Sequence, residues 1–203
     1  MTLADRITLV RVFLAPVFFA LYRVTDGRLA SSMFHPVLVV ALLWVIFIVT
    51  EITDWLDGMA ARRMNQSSDF GRLFDPFADT LAQIAFFLCF VLDGILPAAL
   101  FLVVLYREFG ILFVRNLMLK KGIAMGARIG GKIKTVAYIA TCATALAYSS
   151  LIRLDMLGFL HPFFKVASIV VFAVSVALSV VSFFDYVSVY RAATRVGPTS
   201  KPD

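Results

Sequence analysis

Residues 53–80 read TDWLDGMAARRMNQSSDFGRLFDPFADT and hold four aspartates in a chain that is otherwise strongly apolar. The four are Asp54, Asp57, Asp75 and Asp79, at successive spacings of three, eighteen and four residues. Ionisable side chains at membrane depth are costly and usually mark a functional site. The stretch also joins two apolar runs through a short polar connection, which is typical of two neighbouring membrane helices. It therefore indicates both the fold and the place of the chemistry.

The rest of the chain supports an all-α, polytopic membrane protein. Of 203 residues, 61% are hydrophobic, whereas a soluble domain is usually about 45–50% apolar. A membrane-spanning helix needs about 20 apolar residues. We predict one domain over residues 1–203, with a flexible tail from about 195 to 203. The six predicted spans are residues 7–24, 36–62, 70–92, 95–119, 133–152 and 162–190.

The basic residues predict the orientation of these spans. The net charge is +6, and lysine and arginine concentrate on the cytoplasmic side of membrane proteins. If both termini are cytoplasmic, only Arg23, Arg28, Arg153 and Lys165 of the 19 basic residues fall on the other side. We therefore expect a multi-pass protein of the cytoplasmic membrane, with the acidic cluster facing the cytoplasm. The basic charge is explained by topology and anionic lipids, so no nucleic acid partner is expected.

The spacing of the aspartates predicts a metal site. Asp54 and Asp57 share one helix face, and Asp75 and Asp79 share a face of the next helix. The short connection makes the two helices antiparallel neighbours, so that four carboxylates can converge. Oxygen ligands suit Mg²⁺ or Mn²⁺ rather than zinc. Two such ions would clamp a pyrophosphate and leave one carboxylate to act as a base.

Small and basic residues beside the aspartates fit a phosphate-bearing substrate. Gly58 and Ala61 leave room on the metal-facing side, and Arg62 supplies a cation for a phosphate oxygen. The alternative is an interfacial ion-pair network with Arg62, Arg63 and Arg72. Four carboxylates at these spacings, with Gly and Ala between them, favour the metal site.

The same residues resemble a known family. They match, without a gap, the pattern D-x2-D-G-x2-A-R-x8-G-x3-D-x3-D, whose glycine after the connection is Gly71 here. This pattern defines the CDP-alcohol phosphatidyltransferases, which also have six spans. The resemblance implies that Asp54, Asp57 and Asp75 are metal ligands and that Asp79 is both a ligand and the general base. It further implies that the CDP-lipid site includes Gly58, Ala61, Arg62, Ser68, Thr8 and Asp5.

A second polar stretch, residues 106–135, predicts the acceptor of the reaction. Arg107 and Glu108 lie within span four, and Arg115 follows Arg107 by a little over two helical turns. Lys132 and Lys134 open span five, after two glycines. Several cations near a metal site indicate a phosphorylated acceptor. The alternative, a basic loop that serves topology and lipid headgroups, is favoured for Lys120, Lys121 and Arg128.

This second stretch is similar to the phosphatidylglycerophosphate synthase branch of the family. The shared features are Arg-Glu in span four, an arginine eight residues later, and Gly-Lys-x-Lys-Thr at residues 131–135. Two positions depart from that branch: Asp5 stands in place of an asparagine, and Thr80 in place of a lysine. The resemblance covers most of residues 3–140.

The branch implies transfer of a phosphatidyl group from CDP-diacylglycerol to sn-glycerol 3-phosphate, giving phosphatidylglycerophosphate and CMP. It also implies that the protein forms a homodimer and that it contacts membrane lipids. Two alternatives stay open. In the first, the chemistry is the same but the acceptor is inositol phosphate or, as in a cardiolipin synthase, phosphatidylglycerol. In the second, the protein is not an enzyme but a divalent-cation transporter, and the carboxylates line its ion path.

Overall fold

Six α-helices form the described part of the chain. The computed structural model describes residues 3–24, 35–64, 69–120, 129–156 and 158–195, without the side chains of residues 3–7, 54–73, 129 and 193–195. The helices are α1 (Leu3–Val24), α2 (Pro36–Met64), α3 (Asp69–Leu92), α4 (Ala98–Lys120), α5 (Ile129–Arg153) and α6 (His161–Arg195), with a short 3₁₀ helix at Gly158–Leu160. The predicted all-α class is confirmed for these residues, which contain no strand.

Helices α3 and α5 end close to the predicted ends of their spans, at residues 92 and 152. At each end a residue adopts the left-handed backbone conformation. Gly94 follows α3 with a φ of 66°, and the Ile95 N–H donates to the Phe90 carbonyl at 2.9 Å. Asp155 follows α5 with a φ of 55°, and the Met156 N–H donates to the Leu151 carbonyl at 3.0 Å. Such bonds satisfy the last carbonyls of a helix, and glycine adopts this conformation without a steric penalty.

The start of α5 differs from the prediction. We expected this helix to begin near residue 133, after the two glycines, but it begins at Ile129 and contains both. The reason is the proximity of α6. A Cβ on Gly131 would lie 3.3 Å from the Tyr186 hydroxyl, and one on Gly130 would lie 3.5 Å from the Ser182 hydroxyl. Glycine here serves close helix packing rather than termination.

Helix α1 has its most extensive contacts with α3 and also packs on α2, whereas α6 packs on α5 and α4. Aromatic side chains fill the space between these groups. Phe18 of α1 meets Phe86 of α3 with ring centres 4.5 Å apart, and Phe47 of α2 meets Phe86 at 5.8 Å. Phe87 of α3 connects this cluster to Phe172 of α6, at 5.2 Å. Edge-to-face packing of this kind fixes the relative rotation of the helices.

Helix α6 buries a face of small residues inside the protomer. Ser168, Ser175, Ser179 and Ser182 are each at most 3% exposed. The Ser175 hydroxyl accepts a hydrogen bond from Thr141 of α5 at 3.1 Å. The serine face therefore packs against α4 and α5 of the same chain.

Outward-facing side chains are largely apolar, as expected for helices in lipid. Phe13, Val136 and Val181 are each more than 65% exposed. Four of the described helices, α2, α3, α5 and α6, are long and apolar enough to cross a membrane. Helix α4 carries Arg107, Glu108 and Arg115 within its length, which lowers its hydropathy.

A polar network fastens α1, α3 and α5 together at the end away from residues 53–80. The Tyr22 hydroxyl donates to Asp93 at 2.6 Å and lies 2.8 Å from the Ser149 hydroxyl. Arg23 also donates to Asp93, at 3.0 Å. The Arg153 guanidinium lies 4.6 Å from the centre of the Tyr22 ring. We refer to Tyr22, Arg23, Asp93, Ser149 and Arg153 as the Tyr22 network.

We predict that Tyr22→Phe destabilises the protein and leaves substrate binding intact. The change removes a fully buried hydroxyl, which costs about 1–3 kcal/mol when its partners stay buried. Thermal unfolding in detergent should then occur about 3–10 °C lower. Tyr106→Phe is the matched control, because Tyr106 is 76% exposed. Equal melting temperatures for the two variants would show that the Tyr22 network does not hold the helices.

Candidate active site

Helix α1 contacts the two aspartates of α3 directly. The Thr8 hydroxyl donates to Asp75 Oδ1 at 2.8 Å, and Arg11 forms an ion pair with Asp79. Thr8 and Arg11 are three residues apart, and Asp75 and Asp79 are four apart, so each pair lies on one face of its helix. One polar face of α1 therefore binds both aspartates on the facing side of α3.

Asp79 opens into a cavity of about 220 Å³ between the helices. Its side chain is 39% exposed, whereas that of Arg11 is 2% exposed. All six helices contribute to the lining, which includes Arg11, Thr50, Glu51, Asp79, Thr80, Gln83, Arg107, Glu108, Arg115, Lys132, Lys134, Thr135 and Tyr186. The carboxylate of Asp79 and the predicted acceptor-binding cations thus share one cavity.

Glu108 organises two of those cations. It accepts hydrogen bonds from Arg107 at 2.8 Å and from Lys134 at 3.1 and 3.2 Å. All three side chains are buried. The Arg107 guanidinium also donates to the Ser179 carbonyl and the Ser182 hydroxyl. Because a buried charge needs a partner, Glu108 holds Arg107 and Lys134 in place and offsets one of their two charges.

Arg115 and Lys132 form no ion pair with any described side chain. Lys132 is exposed in the first turn of α5, and Arg115 donates only a long hydrogen bond, 3.4 Å, to the Tyr186 hydroxyl. Of the four cations predicted from the sequence, these two are consequently the more available to an anion. All four line the same cavity.

Several predicted site residues lie outside the side chains that the structure describes: Asp5, Asp54, Asp57, Gly58, Ala61, Arg62 and Ser68. The convergence of four carboxylates therefore stays a prediction. Glu51 and Thr50 of α2 do line the cavity, and Asp54 follows Glu51 by three residues on the same helix. Thr8, predicted to belong to the CDP-lipid site, donates its hydroxyl to Asp75, and its contact with the substrate stays a prediction.

The lining also includes residues that were not predicted as site residues, among them Arg11, Glu51 and Tyr186. Arg11 was assigned no role in the predicted site, although it follows Thr8 by three residues and so shares its face. Glu51 precedes Asp54 by the spacing that separates Asp54 from Asp57. Tyr186 has no such neighbour and depends on the packing of α6. The departure at Thr80 is accommodated locally, since its buried hydroxyl donates to the Pro76 carbonyl at 2.9 Å.

The sequence of the chain matches a model of a protein family. The model of CDP-alcohol phosphatidyltransferases matches residues 1–181. The chain belongs to this family. Members are enzymes that transfer phosphatidyl groups from CDP-diacylglycerol, so the transporter alternative is set aside. The match ends before the last third of α6.

Individual relatives agree over nearly the whole chain. A CDP-diacylglycerol–glycerol-3-phosphate 3-phosphatidyltransferase of Treponema pallidum (strain Nichols) is 35% identical over 195 residues, covering 94% of this chain and 89% of that protein. The enzyme of the same name from Bacillus subtilis (strain 168) is 34% identical, covering 92% and 93%. A probable phosphatidylglycerophosphate synthase of Mycobacterium tuberculosis (strain H37Rv) is 32% identical, covering 96% and 83%.

The donor atoms at the α3 end of the cavity fit a hard divalent cation. The family uses such metals, and Asp75 and Asp79 offer carboxylate oxygens one turn apart. The side chains described contain no group of three His, Cys, Asp or Glu that could hold a metal. Glu51 adds a further carboxylate to the cavity wall. Oxygen donors of this kind suit Mg²⁺ or Mn²⁺.

We predict that Thr8→Val weakens the response of this transferase to divalent cations. The change keeps the side-chain volume but removes the hydrogen bond that orients Asp75. Loss of such an orienting contact typically costs 10- to 100-fold in metal affinity, so the half-saturating Mg²⁺ concentration for CMP release should rise by about tenfold or more. Thr141→Val, which removes the buried bond to Ser175 outside the cavity, should change it by less than about twofold. An unchanged Mg²⁺ dependence in Thr8→Val would contradict this role.

Proposed function

We propose that the protein transfers the phosphatidyl group of CDP-diacylglycerol to sn-glycerol 3-phosphate, releasing CMP and phosphatidylglycerophosphate. The supporting observation is the shared cavity, in which Asp79 lies on one wall and Arg115 and Lys132 on another. A base beside two available cations suits an alcohol that carries its own phosphate. The relatives named for this reaction support the same choice of acceptor.

In the proposed reaction, Asp79 accepts the proton of a glycerol hydroxyl while that oxygen attacks the phosphorus bearing diacylglycerol. A new P–O bond forms to glycerol, and the bond from phosphorus to the CMP oxygen breaks. Arg11 orients the Asp79 carboxylate through their ion pair. General base catalysis of this kind contributes about 10²- to 10⁴-fold to the rate.

Two divalent cations complete the proposed site. Asp54, Asp57, Asp75 and Asp79 would hold them, with Mg²⁺ or Mn²⁺ as the ion, and when bound they would neutralise the pyrophosphate and the departing CMP. Thr8 supports Asp75 within this set. On the CDP-lipid we place Gly58, Ala61 and Arg62 nearest the metals, with Ser68, Thr8 and Asp5 as further members of the site.

The acceptor phosphate is proposed to bind at Arg115 and Lys132, with Arg107 and Lys134 behind them. The Glu108 contacts hold Arg107 and Lys134 rigid, so this pair shapes the wall and adds one net positive charge. Arg115 and Lys132 supply the charge that the phosphate meets. A neutral alcohol would leave both cations without an anion.

We also propose the orientation and assembly. Six spans would cross the cytoplasmic membrane with both termini and the active site on the cytoplasmic side, which follows from the basic residues. The acyl chains of the substrate can then stay in lipid while the headgroups react at the surface. A homodimer is part of the proposal, and its interface excludes the serine face of α6, which is buried within the protomer.

The acceptor assignment predicts the outcome of a substrate panel. Purified protein with CDP-diacylglycerol and Mg²⁺ should release CMP with sn-glycerol 3-phosphate. Inositol phosphate, inositol, glycerol and phosphatidylglycerol should support at least about tenfold lower kcat/KM. Inositol phosphate lacks the glycerol geometry, inositol and glycerol lack a phosphate, and phosphatidylglycerol has a phosphodiester in place of the phosphate monoester. Release with another acceptor alone would refute the acceptor, and no release with any acceptor would refute the proposed reaction.

Asp79→Asn is predicted to reduce kcat by about 10²- to 10⁴-fold while CDP-diacylglycerol still binds. An amide has nearly the same shape as the carboxylate but does not accept the proton. Asp155→Asn is the matched control: Asp155 lies at the far end of α5 in a conformation that asparagine also adopts. Normal turnover by Asp79→Asn would show that another group is the base.

A further inference from the structure

Tyr186 is the one buried side chain of α6 beyond Ser182, among the side chains that the structure describes, and it lines the cavity. It is 4% exposed and lies on the face that carries Ser179 and Ser182. It also lies beyond residue 181, where the family match ends. The family match therefore assigns no role to Tyr186.

The contacts of Tyr186 are directed at Arg115. The Arg115 Nη2 donates to the Tyr186 hydroxyl at 3.4 Å, and the guanidinium carbon lies 5.7 Å from the centre of the Tyr186 ring. A guanidinium at that distance from an aromatic ring is attracted to it. The ring and the hydroxyl together restrict the directions in which Arg115 can point.

Arg115 has N–H groups that donate no hydrogen bond to any described residue. Its Nε is buried and has no hydrogen-bond partner among the described residues. By contrast, the Arg107 Nε donates to the Ser179 carbonyl, and the terminal nitrogens of Arg107 donate to Glu108 and Ser182. A buried donor without a partner is costly. Each nitrogen of Arg107 thus has a partner within the protein, whereas Arg115 keeps donors that an anion in the cavity could engage.

The first turn of α5 leaves room for the Tyr186 hydroxyl. A Cβ on Gly131 would lie 3.3 Å from that oxygen, and nothing else lies within 4 Å of the Cβ position. The glycine next to Lys132 therefore lets the hydroxyl sit between α4 and α5. The hydroxyl consequently lies against Gly131 of α5 on one side and contacts Arg115 of α4 on the other.

We propose that Tyr186 is a positioning residue that holds Arg115 for the phosphate of the acceptor alcohol. This inference rests on the proposed function and names the determinant of its acceptor specificity. It predicts a defect confined to acceptor binding. The contact is made in the ground state as well as in the transition state, so its loss raises the KM for the acceptor and leaves kcat nearly unchanged.

The first test is Tyr186→Phe, which keeps the ring and removes the hydroxyl. The KM for sn-glycerol 3-phosphate should rise by about 3- to 10-fold, the effect of one hydrogen bond of ordinary strength, because the bond to Arg115 is long. The KM for CDP-diacylglycerol and kcat should change by less than about twofold. Tyr148→Phe is the matched control: Tyr148 is 2% exposed and its hydroxyl contacts His161, outside the cavity. An acceptor KM in Tyr186→Phe equal to that of the control would overturn the proposal.

Gly131→Ala tests the same contact from the other side and leaves Tyr186 in place. Its methyl group would displace the Tyr186 hydroxyl, so the acceptor KM should rise to a similar extent. In the double variant with Tyr186→Phe the methyl meets no oxygen, and the KM should equal that of Tyr186→Phe alone. Fully additive effects would overturn the proposal, because they would show that Gly131 and Tyr186 act separately.

The two proposals fail in different ways. If wild-type protein releases no CMP with sn-glycerol 3-phosphate, the proposed function is wrong. If wild-type protein is active and neither Tyr186→Phe nor Gly131→Ala changes the acceptor KM, only the role of Tyr186 is wrong. Should Tyr186→Phe not be recovered folded, Gly131→Ala alone decides the question by the same KM measurement.

Discussion

Charge buried among apolar helices has to be neutralised inside the bundle, and this constraint organises the described part of the protein. An isolated charge in a medium of low polarity costs several kcal/mol. Arg11 meets Asp79 and thereby joins α1 to α3. Arg107 and Lys134 meet Glu108 and join α4 to α5, while the remaining donors of Arg107 reach α6. The helices are thus arranged around their ion pairs as well as around their aromatic core.

The ion pairs also divide the cations of the cavity into two groups, those that are paired within the protein and those that are available to a ligand. Glu108 occupies Arg107 and Lys134, whereas Arg115 and Lys132 retain charge without an ion pair among the described side chains. Asp79 has Arg11 on one side and the open cavity on the other. A site that must bind two anionic substrates and also keep a base ready benefits from this division. In the proposed reaction the paired charges shape the walls and the available groups face the substrates.

Sequence patterns predicted the helices well because hydropathy and helix-ending residues act locally. The ends at Gly94 and Asp155 fall within the predicted breaks. The start of α5 was predicted too late, since Gly130 and Gly131 indicated a break and their role depends on α6, some fifty residues away. Arg11 and Tyr186 escaped prediction for the same reason. Each acquires its place through contacts with a distant helix. The spacing of Arg11 from Thr8 puts both on one face but does not identify Asp79 as the partner.

The central claim is that the metal-binding carboxylates and the acceptor-phosphate cations act in a single cavity. A crystal structure of the protein grown with Mn²⁺ and sn-glycerol 3-phosphate tests it most directly. We expect anomalous density for Mn²⁺ beside Asp75 and Asp79, and phosphate density within hydrogen-bond distance of Arg115 in the same cavity. Phosphate bound away from Arg115 and Lys132, or Mn²⁺ bound elsewhere in the protein, would contradict the account.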